Sequence, residues 1–239
     1  EVFQEQFEGR YVRFSGLVFN RFDRKIHCQT RPWDREWPLW AMIDVNQGRG
    51  NEVLYMVISP WGQRLFVSEI WTKCQLDELA DMMTVKAKLL GKRPDRIIYD
   101  GPELDDTVEG RYLRRIMTEA GIKGKKAKKL PKGAQFLEMN RLFTESVQAS
   151  QGKEPLVMID GVECPRFVWE LEHGEWDLGK LDRTGRAFPK DKDDDARDCW
   201  RYAEAENVFF DVVPEEEREA VAANLVDFQR GGFSGRRRG

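Results

Sequence analysis

LWAMIDVNQGRGNEVLYMVISPWGQRLFVSEIW, residues 39–71, reads as three strands joined by two turns. LWAMID runs apolar up to Asp44, and VNQGRGN supplies a turn with two glycines. NEVLYMVIS is almost continuously apolar, the Pro-Trp-Gly of SPWGQR turns the chain again, and RLFVSEIW returns. Consecutive strands joined by short turns make an antiparallel meander.

Working outward, Leu76, Leu79, Met83, Ala87 and Leu90 recur at three- and four-residue spacing and predict a helix that stops at Gly91. After Pro94, RIIYD is a short buried strand ending in Asp100. A strand that follows a crossover helix usually runs parallel to a neighbour in the same sheet, which carries Asp100 to the edge where loops gather. A helix is expected over 107–120, and Phe136, Met139, Phe143 and Val147 mark a further one. LVMID is a fifth strand, PRFVWELEHG a short helix, and DLGKLDRTGRAFPKDKDDD a polar loop into a final core helix. Upstream, residues 1–39 read as a connecting region with a short hairpin around YVRFSGLVF and a loop at TRPWDREWP. The expected fold is α/β, a mixed five-stranded sheet (antiparallel meander plus parallel strands) flanked by helices, which is the ribonuclease-H-like arrangement. The expected division is 1–39 as connecting segment, 40–213 as the main domain, and 214–239 as a C-terminal helix and basic tail.

With 239 residues, 41% hydrophobic and 34% charged, the chain can bury one sizeable core. No apolar run approaches the ~20 residues of a membrane span, and the start lacks a basic end followed by an apolar stretch. A soluble chain with no membrane partner is expected, and the missing initial Met suggests excision from a longer protein or processing. Cys28, Cys74, Cys164 and Cys199 lie far apart without a CxxC pair and read as reduced structural residues. His27 and His173 have no ligand-spaced partner, so nucleophilic triads find little support. No GxxxxGK[ST] occurs, so no ATPase site is visible. The net charge of −3 argues against a uniformly basic nucleic-acid binder. Lys123, Lys125, Lys126, Lys128, Lys129 and Lys132 nevertheless crowd GIKGKKAKKLPKG, and the chain ends in GGFSGRRRG. Such runs either neutralise phosphates or remain solvated.

Carboxylates are the abundant chemical resource. If the first and fourth strands are parallel neighbours, Asp44 and Asp100 emerge side by side. KDKDDDARDCWRYA, residues 190–203, opens the last helix, where Asp194/Asp198 and Asp195/Asp198 each share a flank. Ala196, Cys199, Trp200 and Ala203 lie on the side that would pack on the sheet, and Asp191 and Asp193 read as loop and cap residues. Acids gathered without counter-ions repel one another unless a hard divalent cation sits between them. Two Mg²⁺ or Mn²⁺ ions could then activate water against a phosphodiester. The bland alternatives are turn-forming aspartates and a favourable helix N-terminus. Asn46, Asn51 and Glu52 read as loop residues or as groups within reach of a metal-bound water, and Glu69 as a strand-face charge or an accessory acid.

WAMIDVNQGRGNEVLYMVIS, RPDRIIYDGPELDD, DDDARDCWRYAEAENV and CPRFVWELEHGEWD together resemble the C-terminal nuclease domain of the large terminase subunit of tailed bacteriophages. FEGRYVRFSGLVFNRFD resembles that family's connection from its ATPase domain. The resemblance implies a two-metal endonuclease that cuts double-stranded concatemeric viral DNA during packaging, in the host cell cytoplasm. It also implies partnership with the portal protein, small terminase subunit and procapsid. It assigns Asp44 and Asp100 as metal-binding catalytic residues and leaves the third ligand between Asp195 and Asp198, with Asp194 behind them. Other expectations are a different ribonuclease-H-like nuclease (resolvase, transposase or ribonuclease H), or a non-catalytic DNA- or portal-docking module.

Overall fold

The structure, a computed structural model, describes residues 16–46, 48–100, 111, 115, 118, 124–149, 151–181, 187–190 and 193–210. Strands β1 (Leu39–Asp44), β2 (Asn51–Ile58) and β3 (Arg64–Thr72) form the antiparallel meander. Strand β4 (Arg96–Asp100) runs parallel to β1, and β5 (Lys125–Lys126) parallel to β4. Beyond the separate hairpin of β6 (Ser146–Ala149) and β7 (Gly152–Pro155), β8 (Val157–Ile159) runs parallel to β3. The sheet order is β5-β4-β1-β2-β3-β8. A second hairpin joins β9 (Trp176–Leu181) to β10 (Ala187–Pro189). The helices are α1 (Arg24–His27), α2 (Leu76–Leu90), α3 (Lys132–Leu142), α4 (Pro165–His173) and α5 (Asp195–Ala205).

The central strands are buried on both faces, which explains their nearly unbroken apolar sequences. Leu39, Ala41, Ile43, Val53, Tyr55 and Val57 point toward α2, whose Leu76, Leu79, Ala80 and Met83 close that side. Trp40, Met42, Leu54, Met56, Ile58 and Ile98 point the other way, toward residues of α3, α4 and α5. Gly91 ends α2 in the left-handed region at φ 68, with its N–H on the carbonyls of Ala87 and Lys88.

Several expectations change. The sheet has six strands, not five, because Lys125 and Lys126 of the lysine-rich segment pair along β4. Helix α3 ends at Leu142, and Val147 belongs to β6. Phe143 keeps its place in the apolar spacing because it packs on Phe19, Phe22 and Trp200 after the helix has ended. The polar loop before α5 contains the β9–β10 hairpin. The helix expected over 107–120 lies largely outside the described residues, as do Lys123, Asp191 and the tail from 211 on. Of the expected hairpin around YVRFSGLVF, residues 11–15 also lie outside; Leu17 bridges Glu175. Val18, Phe19 and Phe22 are buried in the core shared with α5, so packing continues across the expected boundary at 39/40.

One irregularity decides what the sheet shows its last helix. Tyr55 pairs with Ser68 but Met56 pairs with Phe66, so Val67 is an extra residue in β3. Such a bulge reverses the in/out alternation beyond it. Phe66 faces α5, and without the bulge Glu69 and Trp71 would face α2; with it, they fall opposite Leu54 and Glu52, on the α5 side.

Candidate active site: an acidic row beneath the last helix

Asp44 ends β1, opposite Asp100 on parallel β4 and opposite Glu52 on antiparallel β2. With strands about 4.8 Å apart, these three carboxylates form a row roughly 10 Å long on one face. The row survives because its backbone is tied down: Val45 N–H donates to the Asp100 carbonyl at 2.7 Å. Helix α5 lies over it, with Ala196, Cys199, Trp200 and Ala203 fully buried against the sheet as their spacing predicts. That packing turns Asp195, only 7% exposed, and Asp198 toward the row.

A hydroxyl and several basic side chains flank the acids. The Tyr202 hydroxyl donates to Asp44 Oδ1 at 3.1 Å. Lys129 Nζ lies 3.5 Å from Asp100, and Lys132 Nζ lies 2.5 Å from Asp194 and 3.1 Å from Asp198. Arg201 also holds Asp198 through both oxygens, at 3.1 and 3.2 Å. Arg166 lies between three acids: its Nη2 donates to Asp195 at 2.8 Å, and its Nε lies 3.3 Å from Glu52 and 3.2 Å from Glu170. The Trp71 indole covers the Arg166 guanidinium at 4.7 Å and is itself partly exposed at the rim.

Asn51, Glu52, Glu69 and Asp193 are corrected here. Asn51 and Glu52 are strand residues, and Glu52 is completely buried with neither oxygen in a well-formed hydrogen bond. Asn51 braces the turn by accepting from Asn46 N–H and donating to the Cys74 carbonyl. Glu69 accepts from Arg166 N–H at 2.7 Å and Phe167 N–H at 2.9 Å, so it caps α4. The N-cap of α5 is Asp194, with Asp193 before it in the left-handed region at φ 48. Spacing alone did not single out Arg166, Glu170 or Tyr202. Glu170 did leave a signal, since it shares the apolar face of α4 with Phe167 and Leu171. The cysteines are all free, and His27 is a core residue stacked on Phe22, both as expected.

No protein-family model and no curated protein sequence matches the chain. Solved structures do match it. The large terminase of a thermophilic bacteriophage superposes with a TM-score of 0.62 at 15% identity, over 82% of this chain and 45% of that one. The P22 large terminase nuclease domain gives 0.57 at 14% identity, over 83% of this chain and 95% of that one. The large terminase nuclease of thermophilic phage G20c with bound magnesium gives 0.54 at 8% identity, over 81% and 98%. The chain has the ribonuclease-H-like fold of large terminase nucleases. It spans less than half the length of the first of these terminases and nearly all of the two nuclease domains. Among the described residues, no helix is long and apolar enough to cross a membrane.

In this terminase-nuclease fold the acids are electrostatically crowded. Burial raises the Asp44 carboxyl well above its usual range, and Asp198, Asp195 and Asp100 push it further. Burial likewise raises Glu52, with Glu69 and Glu170 adding to the effect and Arg166 opposing it. Among the described residues, no three His, Cys, Asp or Glu side chains converge closely enough to hold a metal ion. The donors nevertheless suit a hard divalent cation: they are carboxylates, and Glu52 Oε1 and Oε2 and Asp100 Oδ1 are buried without hydrogen-bond partners.

The crowding predicts a pH effect. Burial pushes Glu170 up to about 8, so between its ordinary 4.5 and about 8 the folded chain keeps a proton that the unfolded chain has lost. Its contribution to stability is complete below that window and disappears as pH rises through it. Asp44, Glu52, Glu69 and Asp195 shift in the same direction. The melting temperature in chelator is expected to fall as pH is raised from about 5 to about 8. Calorimetry showing a steady rise over that range would contradict this.

Proposed function

We propose that this chain is the nuclease domain of the large terminase subunit of a tailed bacteriophage. In this reading it is a divalent-metal-dependent endonuclease that hydrolyses double-stranded concatemeric viral DNA during packaging in the host cytoplasm. The observation that carries the reading is the side-by-side placement of Asp100, Asp44 and Glu52 under a helix that turns Asp195 and Asp198 toward them. The fold is one in which the G20c nuclease is described with bound magnesium.

Asp44, Asp100 and one or both of Asp195 and Asp198 would hold one or two Mg²⁺ or Mn²⁺ ions, with Glu52 next to them. When bound, such ions supply Lewis acidity at the phosphate and ease the deprotonation of water. The chain's own residues orient the acids: Tyr202 fixes the rotamer of Asp44, Arg166 holds Asp195, and Arg201 holds Asp198. As a motor component, the chain would work with the portal protein, the small terminase subunit and the procapsid.

Supercoiled plasmid incubated with Mn²⁺ or Mg²⁺ should be nicked and linearised, and chelator should stop the reaction. Failure to cut with any divalent metal would overturn the reading.

DNA binding is assigned to Lys123, Lys125, Lys126, Lys128 and Lys129. Lys125 and Lys128 pair with Glu206, and Lys129 with Asp100, with half or more of each lysine side chain exposed. The lysine ends of these pairs face solvent although their acid partners are buried, so they are open to phosphates. Neutralising Lys125, Lys126, Lys128 and Lys129 should flatten the salt dependence of duplex binding by about 0.9 in log–log slope for each lysine that neutralises a phosphate. An unchanged slope would remove these lysines from the interface.

A further inference from the structure

The two acids of the last helix lie far along the chain from the strands that carry Asp44 and Asp100. Helix α5 begins without a side-chain cap of its own, since Asp194 at its N-cap makes no capping bond. The first N–H groups of a helix need acceptors, and a start without them frays. At α5 the acceptor comes from another helix. Glu170 Oε2 accepts from Arg197 N–H at 3.0 Å. Glu170 is fully buried, and Gly174 leaves room for the Arg197 guanidinium that packs over it.

Helix α4 repeats the arrangement one step back. Its N-cap, Cys164, also makes no side-chain capping bond, and Glu69 of β3 accepts from the N–H groups of Arg166 and Phe167. Glu69 can do so only because the Val67 bulge turns it to this face. The links form a continuous series. The bulge aims Glu69, Glu69 seats the first turn of α4, and α4 carries Glu170 to the first turn of α5. That turn holds Asp195 and leads to Asp198.

We propose that Glu69 and Glu170 are positioning residues, a relay of buried helix caps through which the sheet sets where Asp195 and Asp198 stand relative to Asp44 and Asp100. The proposal rests on the nuclease reading for its consequence but not for its geometry. A carboxyl group whose oxygens accept from the first-turn N–H groups of a helix belongs to the scaffold, which separates Glu69 and Glu170 from the acids of the row. Arg166 gains by the same device: with its own N–H held by Glu69, its guanidinium is delivered to Glu52, Glu170 and Asp195.

The test compares Glu170→Ala with Glu170→Gln, whose amide oxygen can still accept from Arg197 N–H. The first readout is metal-free: amide hydrogen exchange at Arg197 should speed up in Glu170→Ala and be largely restored in Glu170→Gln. The second is Mn²⁺ binding by calorimetry, which should weaken about 10–100-fold in Glu170→Ala, the range for residues that orient metal ligands. That loss should shrink in an Asp195→Asn background and persist in an Asp100→Asn background, whereas general destabilisation would give the same loss in both. If Glu170→Ala does not fold, Glu69→Ala is expected to change both readouts in the same direction. Wild-type exchange and wild-type Mn²⁺ affinity in a folded Glu170→Ala or Glu69→Ala protein would overturn the relay. Absence of Mn²⁺ binding by the unmutated chain would instead count against the nuclease reading, leaving the exchange measurement to judge the relay.

Discussion

Asp44→Asn is expected to slow Mn²⁺-dependent plasmid nicking by roughly a thousandfold or more, a loss of about 4 kcal/mol in transition-state stabilisation. Asp44 is the middle member of the acid row, with Asp100 on one side and Glu52 on the other. Any cation held by the row would meet its charge. Asparagine keeps the shape and an oxygen for the Tyr202 hydroxyl, so the loss should not come from unfolding. The same substitution removes a buried charge that Asp198, Asp195 and Asp100 oppose. In chelator at neutral pH its melting temperature should therefore hold or rise. A variant that is stable, inactive and weaker in Mn²⁺ binding is the expected combination, and undiminished nicking would dismiss Asp44 as a catalytic residue.

Trp200→Ala should have the largest effect on stability. The indole is fully buried, and the rings of Phe19, Phe66, Phe143 and Phe167 surround it at centroid distances of 5.4 to 5.9 Å. Its Nε1–H donates to Glu204 at 2.9 Å, and Glu204 in turn holds Arg64 of β3. Truncation leaves a cavity where α5, α4, β3 and the segment before α1 meet. Such changes cost about 3–5 kcal/mol, against about 5–15 kcal/mol for a whole domain. Urea denaturation should show that loss, and a cost below about 1 kcal/mol would mean that the site can collapse around the missing ring.

The parts legible in the sequence were those where a local pattern and the tertiary structure agree. Residues 39–71 alternate between the two cores, and the spacing in α2 and α5 marks the buried sides of both helices. Asp44 and Asp100 could be paired because each ends a strand and a crossover makes the strands parallel. The features that escaped depend on non-local facts. The Val67 bulge leaves no compositional mark, yet it changes Glu69 from an ambiguous strand charge into a helix cap. Glu52 read as a loop residue because a charge next to a glycine turn suggests solvent, although it lies within the expected strand and continues the alternation of Leu54, Met56 and Ile58. The lysine-rich segment read as a loop because two-residue edge pairing has no periodicity to detect.

The Tyr202–Asp44 hydrogen bond joins residues 158 positions apart, and the segment at Gly16–Val18 is pinned by backbone bonds to Gly174 and Trp176. Both closures wait for residues 174–202. Proteins ruled by such distant contacts fold slowly, and a ribosome releases about 5–20 residues per second, so the meander can form many seconds before α5 exists. During that interval Asp44 and Asp100 stand exposed to water without the helix that confines them. The acid row is thus covered only after residues 195–205 have been made, which makes the docking of α5 the event that encloses it.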